Sequence, residues 1–140
     1  MKLRILAFLI IIVLIFTMLS CIVTSRETHV EISCDDFIEN PKSIRNDFEI
    51  ETGDKIYVEL CSNPTTGFAW TYEISGDIAI KEEDHDYHEP DDDTLGSSGK
   101  EKWTFEGIDK GTSKIFMEYS QPWDGGIKQE WIYTITVIVE

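Results

Sequence analysis

The chain has 140 residues, of which 27 are acidic and 12 basic, and its formal net charge at pH 7 is −15. This length fits one ordinary domain with a short appendage. The negative charge excludes nucleic acids and anionic lipid surfaces as partners of the folded part, because like charges repel.

The first 25 residues differ from everything after them. Residues 5–23 contain no charge, proline or glycine, and Lys2 and Arg4 precede them. A run of this length lies at the boundary between a signal-peptide core and a membrane-spanning helix of about 20 apolar residues. Because the basic residues come first, the positive-inside rule leaves the rest of the chain outside the cytoplasm. We therefore predict that residues 1–25 are a signal peptide or membrane anchor and that residues 26–140 form an extracytoplasmic domain, either held at the cell surface or secreted.

The cysteines fall into two groups. Cys21 ends the apolar run in a segment that resembles part of a bacterial lipobox, although Leu19 stands where a small residue is usual. Lipidation at Cys21, an uncleaved membrane anchor and clean secretion therefore stay open. Cys34 and Cys61 belong to the exported part, where a disulfide is permitted, but the sequence does not show whether they are close enough to pair. No CxxC-type pair or nearby histidine accompanies them, so we predict no metal site there.

Beyond the apolar segment, apolar and polar residues alternate with a period of two, which is typical of half-buried strands. Turn-forming residues separate these runs. Weaker runs near 30–33, 47–51 and 78–81 bring the total to seven or eight short strands, which predicts an all-β, immunoglobulin-like two-sheet antiparallel sandwich with its strand order left open. The tryptophans predicted to lie in its core are Trp70, Trp103 and Trp131. The clearest alternating runs are 55–60, 68–74, 102–106, 114–119 and 130–140.

One segment departs from this pattern. Residues 82–93 (EEDHDYHEPDDD) are almost entirely charged or polar, which predicts a solvated loop because such a segment buries little apolar surface. His85, His88 and the carboxylates around them offer ligands for a cation. The spacing matches neither a calcium-binding loop nor a zinc motif, so we predict no metal and no cofactor.

Residues suited to catalysis are few. The histidines at 29, 85 and 88 lie in no recognisable nucleophile motif, and the chain contains no G-x-S-x-G, HExxH or phosphate-binding glycine loop. Cys61 ends a strand, and its immediate neighbours carry no charge that would activate a thiol. The sequence therefore predicts that the protein is not an enzyme.

Three turn segments have compositions that a simple turn does not require. Pro64 fixes φ and Gly67 permits a positive φ, so the first segment is suited to a stiff protrusion. In this order and spacing the three segments resemble the chagasin family of cysteine-protease inhibitors, with the resemblance extending over residues 47–139. The residues that carry it are Asn63, Pro64, Thr65, Thr66, Gly67 and Phe68 in the first segment, Leu95, Gly96, Ser97, Ser98 and Gly99 in the second, and Gln121, Pro122 and Trp123 in the third.

The resemblance implies a monomeric, reversible, tight-binding inhibitor whose three loops lie side by side and fill the active-site cleft of a papain-family cysteine protease. Thr65 and Thr66 would lie nearest the nucleophilic cysteine, and Trp123 would pack near the catalytic histidine. Two positions depart from the family pattern. Gln121 stands where an arginine usually precedes Pro-Trp, and the pair Ser97-Ser98 stands where more glycine is common.

Two alternatives remain from the sequence. A non-inhibitory, immunoglobulin-like adhesion or binding module at the cell surface would share the fold, the anchor and the acidity. It would not need an exposed Trp123 beside the 63–67 segment. A calcium-dependent binding module would use the acidic residues of 82–93.

Overall fold

The computed structural model describes residues 25–39, 42–90 and 96–140. The predicted signal or anchor segment up to residue 24, with Cys21, and Leu95 lie outside these residues. No helix within the described ranges is long and apolar enough to cross a membrane. The elements are β1 (Glu27–Ile32), α1 (Cys34–Glu39), β2 (Ser43–Ile50), β3 (Lys55–Ser62), β4 (Ala69–Gly76), β5 (Ile80–His88), β6 (Gly99–Gly107), β7 (Gly111–Ser120) and β8 (Trp131–Val139), with a 3₁₀ turn at Pro64–Thr66.

The strands form two four-stranded sheets, in the orders β1-β3-β6-β5 and β2-β8-β7-β4. The predicted two-sheet sandwich is confirmed. The predicted antiparallel pairing is found in four of the six strand pairs and is wrong for the other two. β1 runs parallel to β3, and β2 runs parallel to β8. The reason is topological: between β1 and β3 the chain crosses to the other sheet and returns along β2, so β3 starts at the same end as β1. Side-chain alternation does not reveal this direction.

The core lies between the inward faces of the two sheets. The residues that alternate on one face of β3, β6, β7 and β8 are buried, except Trp131 at the start of β8, which confirms the alternation found in the sequence. Trp70 and Trp103 are buried as predicted, whereas Trp131 is partly buried and packs against the core from its edge. The fully buried residues of these four strands include Ile56, Val58, Leu60, Phe105, Ile115, Met117, Tyr133, Ile135 and Val137.

The acidic segment is the clearest departure from the sequence prediction. Residues 82–88 belong to β5, which pairs antiparallel with β6 after a bulge between Glu82 and Asp84, so the loop prediction is wrong for them. β5 is an edge strand whose side chains are mostly exposed. Its backbone forms hydrogen bonds with β6, so the strand forms although it has no continuous apolar face. Charged side chains on such an edge also discourage pairing with other chains. The His85 ring stacks on Trp103 with centroids 4.6 Å apart, which adds a packing contact.

Helix α1 was not predicted, because six residues are too short to show a helical period. Ser33 and Asp36 cap it reciprocally: the Ser33 hydroxyl and backbone N–H donate to Asp36 Oδ2, and the Asp36 N–H donates back to Ser33 Oγ. These bonds hold the pKa of Asp36 below its usual value. Phe37 is fully buried, and a disulfide joins Cys34 to Cys61 with Cα atoms 5.2 Å apart. The helix is therefore fixed beside the end of β3.

The two ends of the sandwich differ. β1 and β3 both start at one end, where the Arg26 N–H donates to Asp54 Oδ1 over 2.6 Å and the Glu51 N–H donates to Asp54 Oδ2 over 2.9 Å. Hydrogen bonds from Glu51 and then Arg26 hold the pKa of Asp54 below its usual value. Both strands run toward the other end, where α1 and all three predicted loop segments lie.

Candidate functional site

The first loop (63–67) is a braced 3₁₀ turn. Asn63 Oδ1 accepts hydrogen bonds from the N–H and the hydroxyl of Thr65, over 3.3 and 2.5 Å. The Thr66 hydroxyl donates to the Asn63 carbonyl over 2.6 Å, and the Gly67 N–H donates to the Pro64 carbonyl over 3.0 Å. Gly67 ends the turn in the left-handed region with φ +79°. The loop is thus held in one shape while both threonines stay exposed at its tip.

Asn63 also joins this loop to the second loop (96–99). Its Nδ2 donates to the Gly96 carbonyl over 2.9 Å, and its backbone N–H donates to the Tyr119 hydroxyl over 2.7 Å. Below the second loop, Lys100 forms ion pairs with Glu31 and Glu59, and these hydrogen bonds raise the pKa of the lysine. The first two loops are therefore linked to each other and to the sheet beneath them.

The third loop (121–124) contacts the first loop through Trp123. A Cβ atom placed on Gly67 would lie 2.5 Å from Trp123 Cη2, so the indole ring passes directly over the glycine. The Trp123 side chain nevertheless stays 49% exposed. Glycine at position 67 thus permits both the left-handed turn and the close approach of the tryptophan.

A return segment (125–130) closes the third loop. The Gln121 N–H donates to the Ile127 carbonyl over 2.8 Å, and the Ile127 N–H donates to Gln121 Oε1 over 3.0 Å. Lys128 Nζ donates to the carbonyls of Gln121 and Trp123. The side-chain oxygen and the backbone of Gln121 therefore both form hydrogen bonds that close the third loop.

The structure brings together all the predicted site residues that it describes. Pro64, Thr65, Thr66, Pro122 and Trp123 are exposed, and Ser97 and Ser98 lie beside them in the second loop. Phe68 differs, because its ring is half-buried and stacks on Tyr119 with centroids 5.3 Å apart. Leu95 is outside the described residues.

Several supporting residues were missed by sequence reasoning. Tyr119 enters the sequence analysis only as the last residue of the alternating run 114–119, yet its hydroxyl accepts a hydrogen bond from the Asn63 N–H of the first loop, 56 residues away. Beneath that loop the buried Ser62 hydroxyl donates to Glu101 Oε1 over 2.7 Å, and Glu101 Oε2 lies 3.0 Å from His85 Nε2. The fixed spacing of the loops in sequence gives no sign of these contacts, because each joins distant strands.

The chemistry at this end is that of recognition. Among residues 25–39, 42–90 and 96–140, no group of three or more histidine, cysteine or acidic side chains is arranged to hold a metal ion. The threonine hydroxyls are bonded within their own loop, and Cys61 is joined to Cys34. The three-loop edge, with its half-exposed tryptophan on a β-sandwich, is a preformed surface of the type that recognises another protein by shape.

The chain belongs to the chagasin family of peptidase inhibitors: the family described as "Chagasin family peptidase inhibitor I42" matches residues 49–137. It is similar to chagasin of Trypanosoma cruzi, with 32% identity over 80 residues that cover 54% of this chain and 73% of the relative. The predicted family resemblance is thereby confirmed. The prediction that the protein is not an enzyme is also confirmed, because the family consists of inhibitors.

Two solved structures share the fold. The cysteine protease inhibitor EhICP2 from Entamoeba histolytica aligns with a TM-score of 0.64 and 18% identity, covering 84% of this chain and all of that one (100%). PbICP-C, solved in complex with falcipain-2, aligns with a TM-score of 0.53 and 14% identity over 82% of this chain and 98% of its own. At these identities the likeness concerns the fold, and it agrees with the two-sheet sandwich described above.

Proposed function

We propose that the protein is a reversible inhibitor of papain-family cysteine proteases and that it blocks their active-site cleft with the three-loop edge. The supporting observation is that the loops form one rigid unit. Asn63 bonds to Gly96, and Trp123 packs on Gly67. Membership of an inhibitor family supports the same function, as does the shared fold of PbICP-C, which was solved in complex with falcipain-2.

The first loop enters the cleft in this mechanism. Its tip carries only the small side chains of Thr65 and Thr66, whose hydroxyls already bond to Asn63, so a narrow cleft accepts them with little polar desolvation. The 3₁₀ turn presents no extended peptide for cleavage. Because the loop is already ordered, little conformational entropy is lost on binding. Inhibition follows from occupation of the cleft, and the inhibitor leaves it intact.

The other loops secure the protease on either side. Trp123 is the anchor, since a half-exposed aromatic ring packed on a rigid loop is the type of residue that dominates interface energetics. Gln121 supplies no charge where the family usually has arginine, and its carbonyl groups are engaged in closing the third loop. Binding therefore relies on Trp123 and the first loop, with Ser97 and Ser98 of the second loop along the opposite side.

The remaining parts of the proposal concern location and assembly. The apolar segment 5–23 supports export, with the inhibitor held at the cell surface or secreted. The membrane is contacted through that segment alone, and the net charge of −15 opposes self-association, so the inhibitor acts as a monomer. The exposure of Trp123 beside the first loop favours inhibition over the adhesion-module alternative.

The test is to titrate papain with the purified protein while following cleavage of a fluorogenic peptide. We expect reversible inhibition with a constant below about 1 µM, as an interface of standard size supports, and recovery of uncut inhibitor. Trp123→Ala should raise the inhibition constant about 10-fold or more without changing the fold. Failure to inhibit papain or cathepsin-type proteases even at tens of micromolar would instead favour the adhesion module.

A further inference from the structure

An apolar groove lies beside the three-loop edge. Its lining includes Ile38 of α1, Thr66 and Phe68 next to the first loop, Ile127 of the return segment, and Tyr119 and Trp131 beneath them. Asn63 and Ser98 also border it, so the groove is continuous with the first and second loops. It therefore opens on the surface proposed to meet the protease.

The base of the groove is a stack of aromatic rings. Tyr119 stacks on Trp131 with centroids 4.8 Å apart, and Phe68 stacks on Tyr119 with centroids 5.3 Å apart. Trp131 in turn stacks on the fully buried Phe37 of α1, at 4.9 Å. Each ring is held by its neighbour, so the base is a preformed apolar surface rather than a gap that side chains could readily close.

Two isoleucines are exposed on its walls. Ile38 is 71% exposed and Ile127 is 52% exposed, although each is a large apolar side chain. Neither position is left loose. Ile38 lies on a helix fixed by the Cys34–Cys61 disulfide and by burial of Phe37, and Ile127 is bonded through its backbone to Gln121. Exposed apolar side chains held at the border of an apolar groove are typical of a binding surface.

The size of the three loops indicates what occupies the groove. The three loops, residues 63–67, 96–99 and 121–124, together contain 13 residues. A protein–protein interface of standard size takes about 20–30 residues from each partner. Neighbouring surface must therefore contribute, and the groove adjoins the loops directly. A second copy of the chain is a poor occupant because both copies would carry a net charge of −15.

On the basis of the protease inhibition proposed above, we propose that this groove is a fourth contact with the target protease. It accepts an apolar side chain that projects from the protease surface beside the active-site cleft. The cleft itself must bind similar substrates in related proteases, whereas the surface beside it is free to differ. The groove therefore selects among papain-family proteases, while the three-loop edge recognises the feature that they share.

The experiment compares Ile38→Ser, Ile127→Ser and the double variant with Ile78→Ser in the full-length protein. Ile78 is the matched control, because it is 84% exposed and lies just beyond β4, at the end of the sandwich opposite the loops. Inhibition constants are measured against papain and two cathepsin-type proteases, with Trp123→Ala alongside. Melting temperatures and sedimentation of the free proteins are recorded for every variant.

We expect each groove variant to weaken inhibition of at least one protease by about 10-fold, because it removes apolar contact area. The loss should arise mainly from faster dissociation and should differ between proteases. Trp123→Ala should weaken inhibition of all three, and Ile78→Ser should change none. The melting temperatures of the groove variants should match that of the unchanged protein, because the substituted side chains are exposed.

Three results would overturn the groove assignment. Unchanged inhibition by the double variant, with Trp123→Ala still defective, would remove the groove from the interface and leave the proposed function standing. A dimer of the free protein that Ile38→Ser dissociates would assign the groove to a second copy. If the unchanged protein inhibits none of the proteases, the proposed function fails, and the groove assignment fails with it.

Discussion

The substitution Gly67→Ala tests whether the three loops act as one rigid edge. The added methyl group would lie 2.5 Å from Trp123 Cη2 and 3.0 Å from Trp123 Cζ3, which is closer than ordinary van der Waals contact. The backbone of residue 67 has φ +79°, so alanine is also strained there independently of its neighbours. Either the turn opens or the indole ring moves, and both changes alter the surface that meets the protease.

The two effects have different sizes and different readouts. An L-residue in the left-handed region costs about 1–2 kcal/mol, which appears as lost stability. Displacing Trp123 costs binding energy on the scale of losing an interface anchor, about 2 kcal/mol or more. That energy corresponds to a rise of roughly 30-fold in the inhibition constant. Thermal melting reports the first effect, and titration against papain reports the second.

Gly53→Ala is the control for the cost of placing an alanine at a positive φ. Gly53 has φ +94° in the turn between β2 and β3, and a Cβ atom there meets nothing within 4 Å. We expect a similar loss of melting temperature with no change in the inhibition constant. If Gly67→Ala folds and inhibits as well as the unchanged protein, the contact between the first and third loops has no role in inhibition, and the rigid-edge reasoning is refuted.

Three further predictions concern stability. Cys34→Ser removes the disulfide to Cys61, which spans 27 residues. Closing a loop of that length stabilises the folded protein by about 3.5 kcal/mol, so the melting temperature should fall by roughly 10 °C or more. Chemical reduction of the unchanged protein should lower its melting temperature by a similar amount. Tyr119→Phe leaves the Asn63 N–H without its acceptor and should cost about 1–3 kcal/mol of unfolding free energy in chemical denaturation, with weaker inhibition. The folded-state pKa of Asp54 is below its usual value of 3.8, so its contribution to stability is present above pH 3.8 and is lost as the pH falls through the folded-state pKa. In a series of melting curves at decreasing pH, Asp54→Asn should therefore lose less melting temperature than the unchanged protein.

The sequence predicts strands well where one face is buried. In β3 the alternation of Ile56, Val58 and Leu60 with polar residues reflects a face that packs on the core, and the structure buries all three. The same reasoning fails for residues 82–88, because an edge strand can form through backbone pairing to one neighbour without an apolar face. Charge composition alone therefore does not separate a charged edge strand from a loop.

The candidate site could be predicted in part. Unusual composition identified the three loop segments, and the structure places their described residues side by side. The contacts that hold them, such as Asn63 to Gly96 and Asn63 to Tyr119, depend on how the sheets stack and leave no local pattern. Ile38 was missed for the same reason, since its place beside the loops follows from α1 and the disulfide.

Strand direction has a consequence for how the inhibitor would meet its target. The chain enters the sandwich at Arg26, beside Asp54, and β1 and β3 lead away from that point toward the loops. An eight-residue strand such as β3 spans about 26 Å. A tether attached before Arg26 would join the domain at the end opposite the three-loop edge. The tether would then leave the three-loop edge accessible to a protease, and for the same reason attachment through the amino terminus suits binding measurements on a solid support.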